Sequence, residues 1–234
     1  METPALFTVS PRRVRAFLLG ITAILLVIHL GFVFARYSFG LPFDWVVAPT
    51  FHFDVEANVP TWFSVLLLLV SAALLFLIGA RAGVEGLPYR FHWLALSAVF
   101  LFLSADEMIQ IHERPGPAVR DALGTTGYFY SAWVLVAIPI VAVLALVFFR
   151  FIRHFDPKRR RGLFLAAALY LTGAIGMEIV GSGWAYTHGL TNLTYELMTT
   201  VEELLEMTGV IVFIHTLLSH MADIGREWRI EIGH

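Results

Sequence analysis

A bundle of six membrane-spanning helices is the fold class that this sequence predicts, and its composition, hydropathy and run lengths predict it. The chain is 58% hydrophobic and 15% charged, with a mean hydropathy of +0.76, whereas soluble domains are about half apolar and a quarter charged. Six apolar runs have the length of about 20 residues that crosses a bilayer as a helix. The runs cover residues 17–37, 61–80, 91–112, 128–149, 162–184 and 193–218. We therefore expect a single all-α integral membrane domain over residues 1–234.

The first three spans have recognisable boundaries. The first follows Arg12, Arg13 and Arg15 and is too long for the apolar core of a signal peptide, so we expect it to remain in the mature protein. Pro60 lies near the start of the second span, where a helix tolerates proline. The third span ends just before the segment Pro115-Gly116-Pro117, which disfavours continued helix.

The last three spans differ in composition. A basic linker, residues 153–161, separates the fourth span from the fifth. The fifth span is rich in small residues, which allow helix backbones to approach closely in lipid. These residues are Ala166, Ala167, Ala168, Gly173, Ala174, Gly176, Gly181 and Gly183. We expect the fifth span to pack tightly and to bring Glu178 against its neighbours.

The basic residues predict the orientation of the spans. Cytoplasmic loops carry an excess of Lys and Arg, and a cytoplasmic N-terminus places only Arg36, Arg114 and Arg120 outside. The remaining basic residues then lie inside: Arg12, Arg13, Arg15, Arg81, Arg90, Arg150, Arg153, Lys158, Arg159, Arg160, Arg161, Arg226 and Arg229. We expect both termini in the cytoplasm and a location in the bacterial inner membrane.

The residue types present exclude several kinds of chemistry. The chain has no cysteine, so disulfides, thiolate metal ligands and a cysteine nucleophile are excluded. Its only lysine, Lys158, lies in the cytoplasmic linker, so no buried Schiff base of the retinal-protein type is available. We expect membrane lipid as a partner, a homo-oligomer or a larger membrane complex as alternatives, and no nucleic acid.

Acidic residues within the apolar runs are the strongest functional signal. An ionisable side chain near a bilayer centre costs roughly 2.5–3.5 kcal/mol on insertion scales, and no Lys or Arg lies in the same stretches. The acids are Asp106 and Glu107 in the third span, Glu178 in the fifth, and Glu202, Glu203 and Glu206 in the sixth. Such groups require a bound cation, protons or a partner charge.

The predicted topology gives these acids a common depth. At ~1.5 Å per residue, all three sets lie about 8–20 Å below the outer surface. Helical phase also aligns them on single faces, with Asp106, Gln110 and Glu113 forming one stripe. The sixth span carries a second stripe: Glu196, Thr199, Glu202, Glu203 and Glu206. We expect a carboxylate-rich pocket that opens toward the outer, periplasmic face.

The charge balance of this pocket leaves two solutions. Arg114 and Arg120 could pair with one or two acids, so the others need a divalent cation or must be protonated at neutral pH. The candidate metal ligands are Asp106, Glu107, His112, Glu113, Glu178, Glu202, Glu203 and Glu206. His52 and His188 in the outer loops are further candidate imidazoles.

The identity of the metal stays open at this point. Oxygen ligands with little nitrogen favour Mg, Mn, Ca or non-haem Fe, whereas additional histidines favour Zn. Carboxylate-bridged di-iron bundles use a Glu-x-x-His pair, but Glu107 and His112 are five residues apart.

Three functions fit the acid pattern. The leading hypothesis is a membrane metalloprotein, in one form a metal-dependent enzyme acting on a lipid or another apolar substrate. The alternatives are a proton- or cation-coupled transporter that uses the same acids as its relay, and an accessory subunit of a larger membrane complex.

Several segments resemble uncharacterised bacterial multi-pass membrane proteins. They are Phe102 to Glu107 with His112-Glu113, Gly176-Met177-Glu178, Glu202 to Gly209, and Asn58 to Trp62. This resemblance covers most of the chain and implies a multi-pass membrane fold without a known activity. Glu202-Glu203 is also similar to the glutamate pair of intramembrane CAAX-type proteases, but Met207 stands where that family has an arginine.

Overall fold

The computed structural model describes residues 9–42 and 47–224, so Arg226 and Arg229 of the predicted inner set lie outside the described residues. The described residues form helices and connecting turns and contain no strand. The α-helices are α1 (Pro11–Phe39), α2 (Ala48–Phe51), α3 (Val59–Val84), α4 (Arg90–Ile109), α5 (Gly116–Leu123), α6 (Val134–His154), α7 (Pro157–Leu171), α8 (Glu178–His188) and α9 (Leu193–Ile224). A 3₁₀ turn covers Gly127–Phe129, and a π-helical turn, Thr172–Met177, joins α7 to α8.

Six helical segments within the described ranges are long and apolar enough to cross a membrane, in agreement with the predicted number. Five of them are α1, α3, α4, α6 and α9, and the sixth runs without a break from α7 through the π-helical turn to the end of α8. The structure therefore supports an all-helical, multi-pass membrane fold.

Polar side chains and glycine fix several helix ends. Asn58 precedes α3, and its side chain accepts a hydrogen bond from the backbone N–H of Thr61. Asp156 precedes α7 and accepts from the N–H of Lys158. Both are N-caps, which satisfy N–H groups that have no partner within the helix. Gly40 ends α1 in the left-handed conformation, with φ 65°, which glycine adopts without strain.

The last helix, α9, occupies the centre of the bundle. It packs against α1, α3, α7 and the π-helical turn, while α4 packs mainly against α3. Half of the most apolar stretch of α9 is buried by other parts of the protein, compared with 11% for α6. α6 therefore lies at the periphery, with most of its apolar surface available to lipid.

Small residues bring α7 and α9 into backbone contact. A Cβ atom placed on Gly209 would lie 2.7 Å from the backbone nitrogen of Tyr170 and 2.9 Å from the carbonyl oxygen of Ala166. A Cβ on Gly173 would lie 2.7 Å from Cγ of Glu206. The predicted tight packing of the fifth span is confirmed, and it sets the π-helical turn directly against the acidic face of α9.

Aromatic side chains fill the end of the bundle opposite the acids. Trp93 of α4 contacts Phe151 of α6 edge to face, with ring centroids 4.8 Å apart, and it stacks on His220 of α9. Leu217 and Phe155 complete this buried cluster. The interior at this end is thus apolar and closely packed.

At two places a helix stops short of the predicted span. α4 ends at Ile109 rather than at residue 112, because Gln110 is left-handed with φ 52° and the Asp106 carboxylate takes the N–H of His112. α6 begins at Val134 rather than at residue 128. The preceding segment is held by a tertiary bond instead, since the N–H of Ser131 donates to the hydroxyl of Ser182 at 2.8 Å.

Candidate functional site

The six acids predicted from the spans converge on one region between α4, the start of α8 and α9. The side chains of Glu178 and Glu202 lie next to each other and interact electrostatically. Glu203 interacts electrostatically with Glu107 and Glu202, and Glu206 with Glu203 and Glu107. We call Asp106, Glu107, Glu178, Glu202, Glu203 and Glu206 the acidic cluster.

The π-helical turn positions Glu178 for this contact. A π-helical turn adds a residue relative to an α-helical one and is frequent at functional sites. Here Thr172–Met177 ends immediately before Glu178, and the absence of a side chain on Gly173 lets this turn approach the backbone of Glu202. The sequence indicated close packing but contained no signal for the added residue.

A small cavity lies within the acidic cluster. Its volume is about 10 Å³, and its polar lining comes from Ser64, Glu107, Tyr170 and Glu206. The side chains of Glu107 and Ser64 also interact with each other. This volume is near the ~10–15 Å³ that one water molecule requires, so the cavity has the size for a single water molecule or a small cation.

Two acids of the outer loop, Asp54 and Glu56, extend the acidic cluster toward its mouth. Both are exposed at the surface, yet protein atoms flank their carboxylates. This partial desolvation raises the pKa of Asp54 to about 7, with Glu196 as the largest contributing charge. Desolvation also raises the pKa of Glu56, and the charge of Glu113 adds to the effect. The candidate ligands did not include these two residues, although their place in the longest outer loop was a usable signal.

His112 is a partner of Asp106. Its Nδ1 lies 2.9 Å from Oδ2 of Asp106, and its backbone N–H donates to Oδ1 at 2.7 Å. Burial lowers the pKa of His112, but the hydrogen bond and charge of Asp106, together with the charge of Glu113, outweigh it and leave the pKa above its ordinary value. His112 is therefore poised to carry positive charge beside the acidic cluster more readily than an ordinary histidine, and its ring packs on Trp133.

Arg36 meets the acidic face of α9, in contrast to the sequence-based expectation for Arg114 and Arg120. Its Nη1 lies 2.6 Å from Oε1 of the buried Glu196. Arg114 instead donates to the carbonyl of Ile109, and the guanidinium of Arg120 lies 4.0 Å from the ring centroid of Tyr130. In the parts of the chain that the structure describes, neither of these two arginines forms an ion pair with the acidic cluster.

The two further candidate imidazoles lie in different places. Nε2 of His52 is 3.7 Å from Oε2 of Glu196, so this histidine borders the region next to Asp54. His188 stacks on Trp184 with ring centroids 3.9 Å apart at the end of α8. Only His52 therefore lies near an acid of α9.

The predicted ligands are neighbours, but their present side-chain conformations do not form a coordination shell. Among residues 9–42 and 47–224, no group of three or more His, Cys, Asp or Glu side chains has the geometry to hold a metal ion. The carboxyl groups of Glu202, Glu203 and Glu206 are closely spaced and partly exposed on α9. His112, whose pKa is raised, lies next to the acidic cluster. Such a set can bind positive charge or exchange protons.

These features define a class of helical, membrane-type bundles with carboxylates concentrated in one half of the interior. The chain belongs to the family described as Domain of unknown function (DUF8692), whose model matches residues 18–221. No curated protein and no solved structure matches the chain.

Proposed function

We propose that this protein is a multi-pass membrane protein whose acidic cluster binds exchangeable cations from the outer side, with divalent metal ions and protons competing for the same carboxylates. One observation carries the proposal. Six acids from three helical segments converge, and the ion pairs described near them are those of His112 with Asp106 and of Arg36 and His52 with Glu196. Uncompensated carboxylates at this spacing hold protons or ligate a cation.

The donor set favours a hard divalent ion. Carboxylate, hydroxyl and water oxygens suit Mg, Mn and Ca, and Ser64 and Tyr170 line the same cavity as Glu107 and Glu206. His112 is a single imidazole beside these oxygens, and a donor set with so little nitrogen suits Fe or Zn less well. Coordination would require new rotamers of the glutamates, which their partial exposure permits.

Binding assays on purified protein test the metal arm of this proposal. We expect saturable Mn²⁺ or Ca²⁺ binding in equilibrium dialysis at neutral pH, weakened at least tenfold by the double change Glu203→Gln and Glu206→Gln. Glu85→Gln is the matched control, because Glu85 pairs with Arg81 at the far end of α3. The proposal of metal binding would be refuted if the wild-type protein bound neither ion. It would also be refuted if Glu85→Gln bound as weakly as the double variant.

Proton binding without a metal is the second candidate function. The closeness of Glu178 and Glu202 favours it, because two neighbouring carboxyl groups repel each other when both are ionised and can share one proton instead. Infrared spectra should then show a protonated-carboxyl carbonyl band at neutral pH that Glu202→Gln removes. A spectrum in which Glu202→Gln changes nothing would count against a proton shared at this pair.

The packing at the opposite end supports binding over transport. A coupled transporter requires access to the acids from both sides of the membrane, and the described interior near Trp93 and Phe151 is filled with aromatic side chains. We therefore place the transporter hypothesis below the binding hypothesis. The enzyme and accessory-subunit hypotheses stay predictions of the sequence.

The orientation is part of the same proposal. We propose that both termini are cytoplasmic, that the protein lies in the bacterial inner membrane, and that the acidic cluster faces the periplasm. The distribution of Lys and Arg along the chain supports this orientation.

A further inference from the structure

The exposed face of α6 is an apolar stripe that ends in two arginines. Val143, Leu146, Arg150 and Arg153 follow one another at helical spacing, so they lie within about a quarter of the helix circumference. Val143 is 58% exposed and Leu146 is 77% exposed, and both arginines are exposed as well. This face therefore combines apolar surface with positive charge at the C-terminal end of the helix.

The two arginines of the stripe are not neutralised by the acids close to them. Arg159 pairs with both Asp156 and Asp223. Among the residues that the structure describes, neither Arg150 nor Arg153 forms an ion pair. Like charges three residues apart on a helix are neighbours and repel each other, so an anion close to both arginines stabilises them.

The position of α6 leaves this stripe to the bilayer. Phe148 and Phe151, on the other side of the helix, are buried in the aromatic cluster, whereas only 11% of the most apolar stretch of α6 is buried. From Val143 to Arg153 the stripe is ~15 Å long, at about 1.5 Å per residue. This length is half of the ~30 Å hydrocarbon core, so the stripe matches one leaflet and the arginines match its head-group level.

We infer that Arg150 and Arg153 bind the phosphate of an anionic phospholipid, one of whose acyl chains lies along Val143 and Leu146. Guanidinium groups bind phosphate oxygens through charge-assisted hydrogen bonds, and anionic lipids attract clustered Lys and Arg at a membrane surface. A zwitterionic lipid carries an ammonium group that repels the arginines. This inference uses neither the acidic cluster nor a bound metal, so it stands or falls separately from the proposed function.

Quenching of a site-specific fluorophore by doxyl-labelled lipids tests the location, because the chain has no cysteine of its own. A fluorophore on Leu146→Cys reports lipid on the stripe. A fluorophore on Phe76→Cys is the matched control, since Phe76 of α3 is 56% exposed and both positions lie eight residues before the end of their helix. Near Phe76, Arg81 is already paired with Glu85.

The expected result is a lipid preference at one position only. In nanodiscs, labelled phosphatidylglycerol should quench the fluorophore on Leu146→Cys at a mole fraction at least fivefold lower than labelled phosphatidylcholine does. The two lipids should quench the fluorophore on Phe76→Cys equally. Equal quenching by both lipids at Leu146→Cys, or the same preference at both positions, would overturn the inference.

Charge variants in the Leu146→Cys protein test the two arginines. The double change Arg150→Gln and Arg153→Gln should remove the preference for phosphatidylglycerol. The double change Arg12→Gln and Arg13→Gln removes the same charge from the exposed start of α1 and should leave the preference unchanged. An equal loss in both double variants would show that net charge, and not this face of α6, attracts the lipid, and would overturn the inference.

Lysine at the same two positions separates charge from side-chain loss. The double change Arg150→Lys and Arg153→Lys keeps both positive charges on exposed positions, so at least half of the preference should remain. A lysine variant that loses the preference as completely as the glutamine variant would contradict binding through the positive charges.

Discussion

Asp106 organises the end of α4 through two bonds to its carboxylate and one to its backbone carbonyl. Its oxygens accept from the backbone N–H and pair with Nδ1 of His112, and its carbonyl accepts from Gln110 at 2.7 Å. These bonds end the helix and fold His112 back over its last turn. At the residue scale, an acid in a membrane segment thus serves as a helix terminator and as the counter-charge of a histidine.

Asp106→Asn should lower the pKa of His112. The charge and hydrogen bond that raise this pKa are removed, while the burial that lowers it remains. Histidine titration followed by NMR measures the shift. Asp121→Asn, an exposed acid on the neighbouring α5, is the control and should leave the His112 titration unchanged.

The same change should destabilise the protein in a pH-dependent way. The folded-state pKa of His112 is raised, so the stability that this pair contributes is complete below the unfolded-state pKa and is lost as the pH rises through the folded-state pKa. We expect Asp106→Asn to cost about 1.5 kcal/mol below pH 6 and less at alkaline pH. A cost that grows with increasing pH in chemical denaturation would contradict this pairing.

Residue type alone could not predict the role of His112. It was a candidate metal ligand because it lies in the same segment as Asp106, Glu107 and Glu113, and an ideal helix separates it widely from Asp106. The left-handed residue Gln110 removes that separation. The segment Pro115-Gly116-Pro117 predicted that the helix ends nearby. It did not predict that the Asp106 carboxylate would accept the hydrogen bond from the backbone N–H of His112.

At the element scale, the contact between α7 and α9 determines where the acids lie. Small residues predicted this contact because they permit close approach in lipid. The π-helical turn was not predictable, since its register depends on packing against α9 and not on a local pattern. This turn sets the rotation of Glu178, which ideal α-helical periodicity places differently.

Gly209→Ala should therefore destabilise the fold by about 1–3 kcal/mol through overpacking. The added Cβ would lie within 2.9 Å of two backbone atoms of α7, and backbone atoms cannot rotate away. Gly20→Ala is the matched control on α1, with no atom within 4 Å. Alanine should stabilise that helix by up to about 1 kcal/mol.

Thermal unfolding of the two alanine variants measures the difference. The melting temperature should fall for Gly209→Ala and stay level or rise for Gly20→Ala. A fall of equal size in both would show that α7 and α9 are not in backbone contact.

At the scale of the whole molecule, the number of spans was predictable and their arrangement was not. Run length and hydropathy identify a bilayer-crossing helix because every such helix must be apolar over the same thickness. Faces toward lipid and toward other helices are both apolar, so hydropathy does not reveal which helices touch. The central position of α9 and the meeting of Glu203 with Glu107 depend on that unseen arrangement.

The proposed orientation can be tested with single cysteines because the chain has none of its own. Asp121 and Lys158 are both exposed and lie on opposite sides in the proposed topology. A membrane-impermeant maleimide should label Asp121→Cys in intact spheroplasts and Lys158→Cys only after permeabilisation. The reverse labelling pattern would place the acidic cluster on the cytoplasmic side.

The central claim is that the acidic cluster holds positive charge that can be exchanged. Calorimetric titration of Mn²⁺ into the purified protein, in buffers of different ionisation enthalpy, measures ion binding and the protons it displaces together. The account predicts saturable binding with proton release at neutral pH, absent from the Glu203→Gln, Glu206→Gln variant and retained in Glu85→Gln. A binding heat that is the same in all buffers and in all variants would contradict the claim that the acidic cluster binds the ion and releases protons.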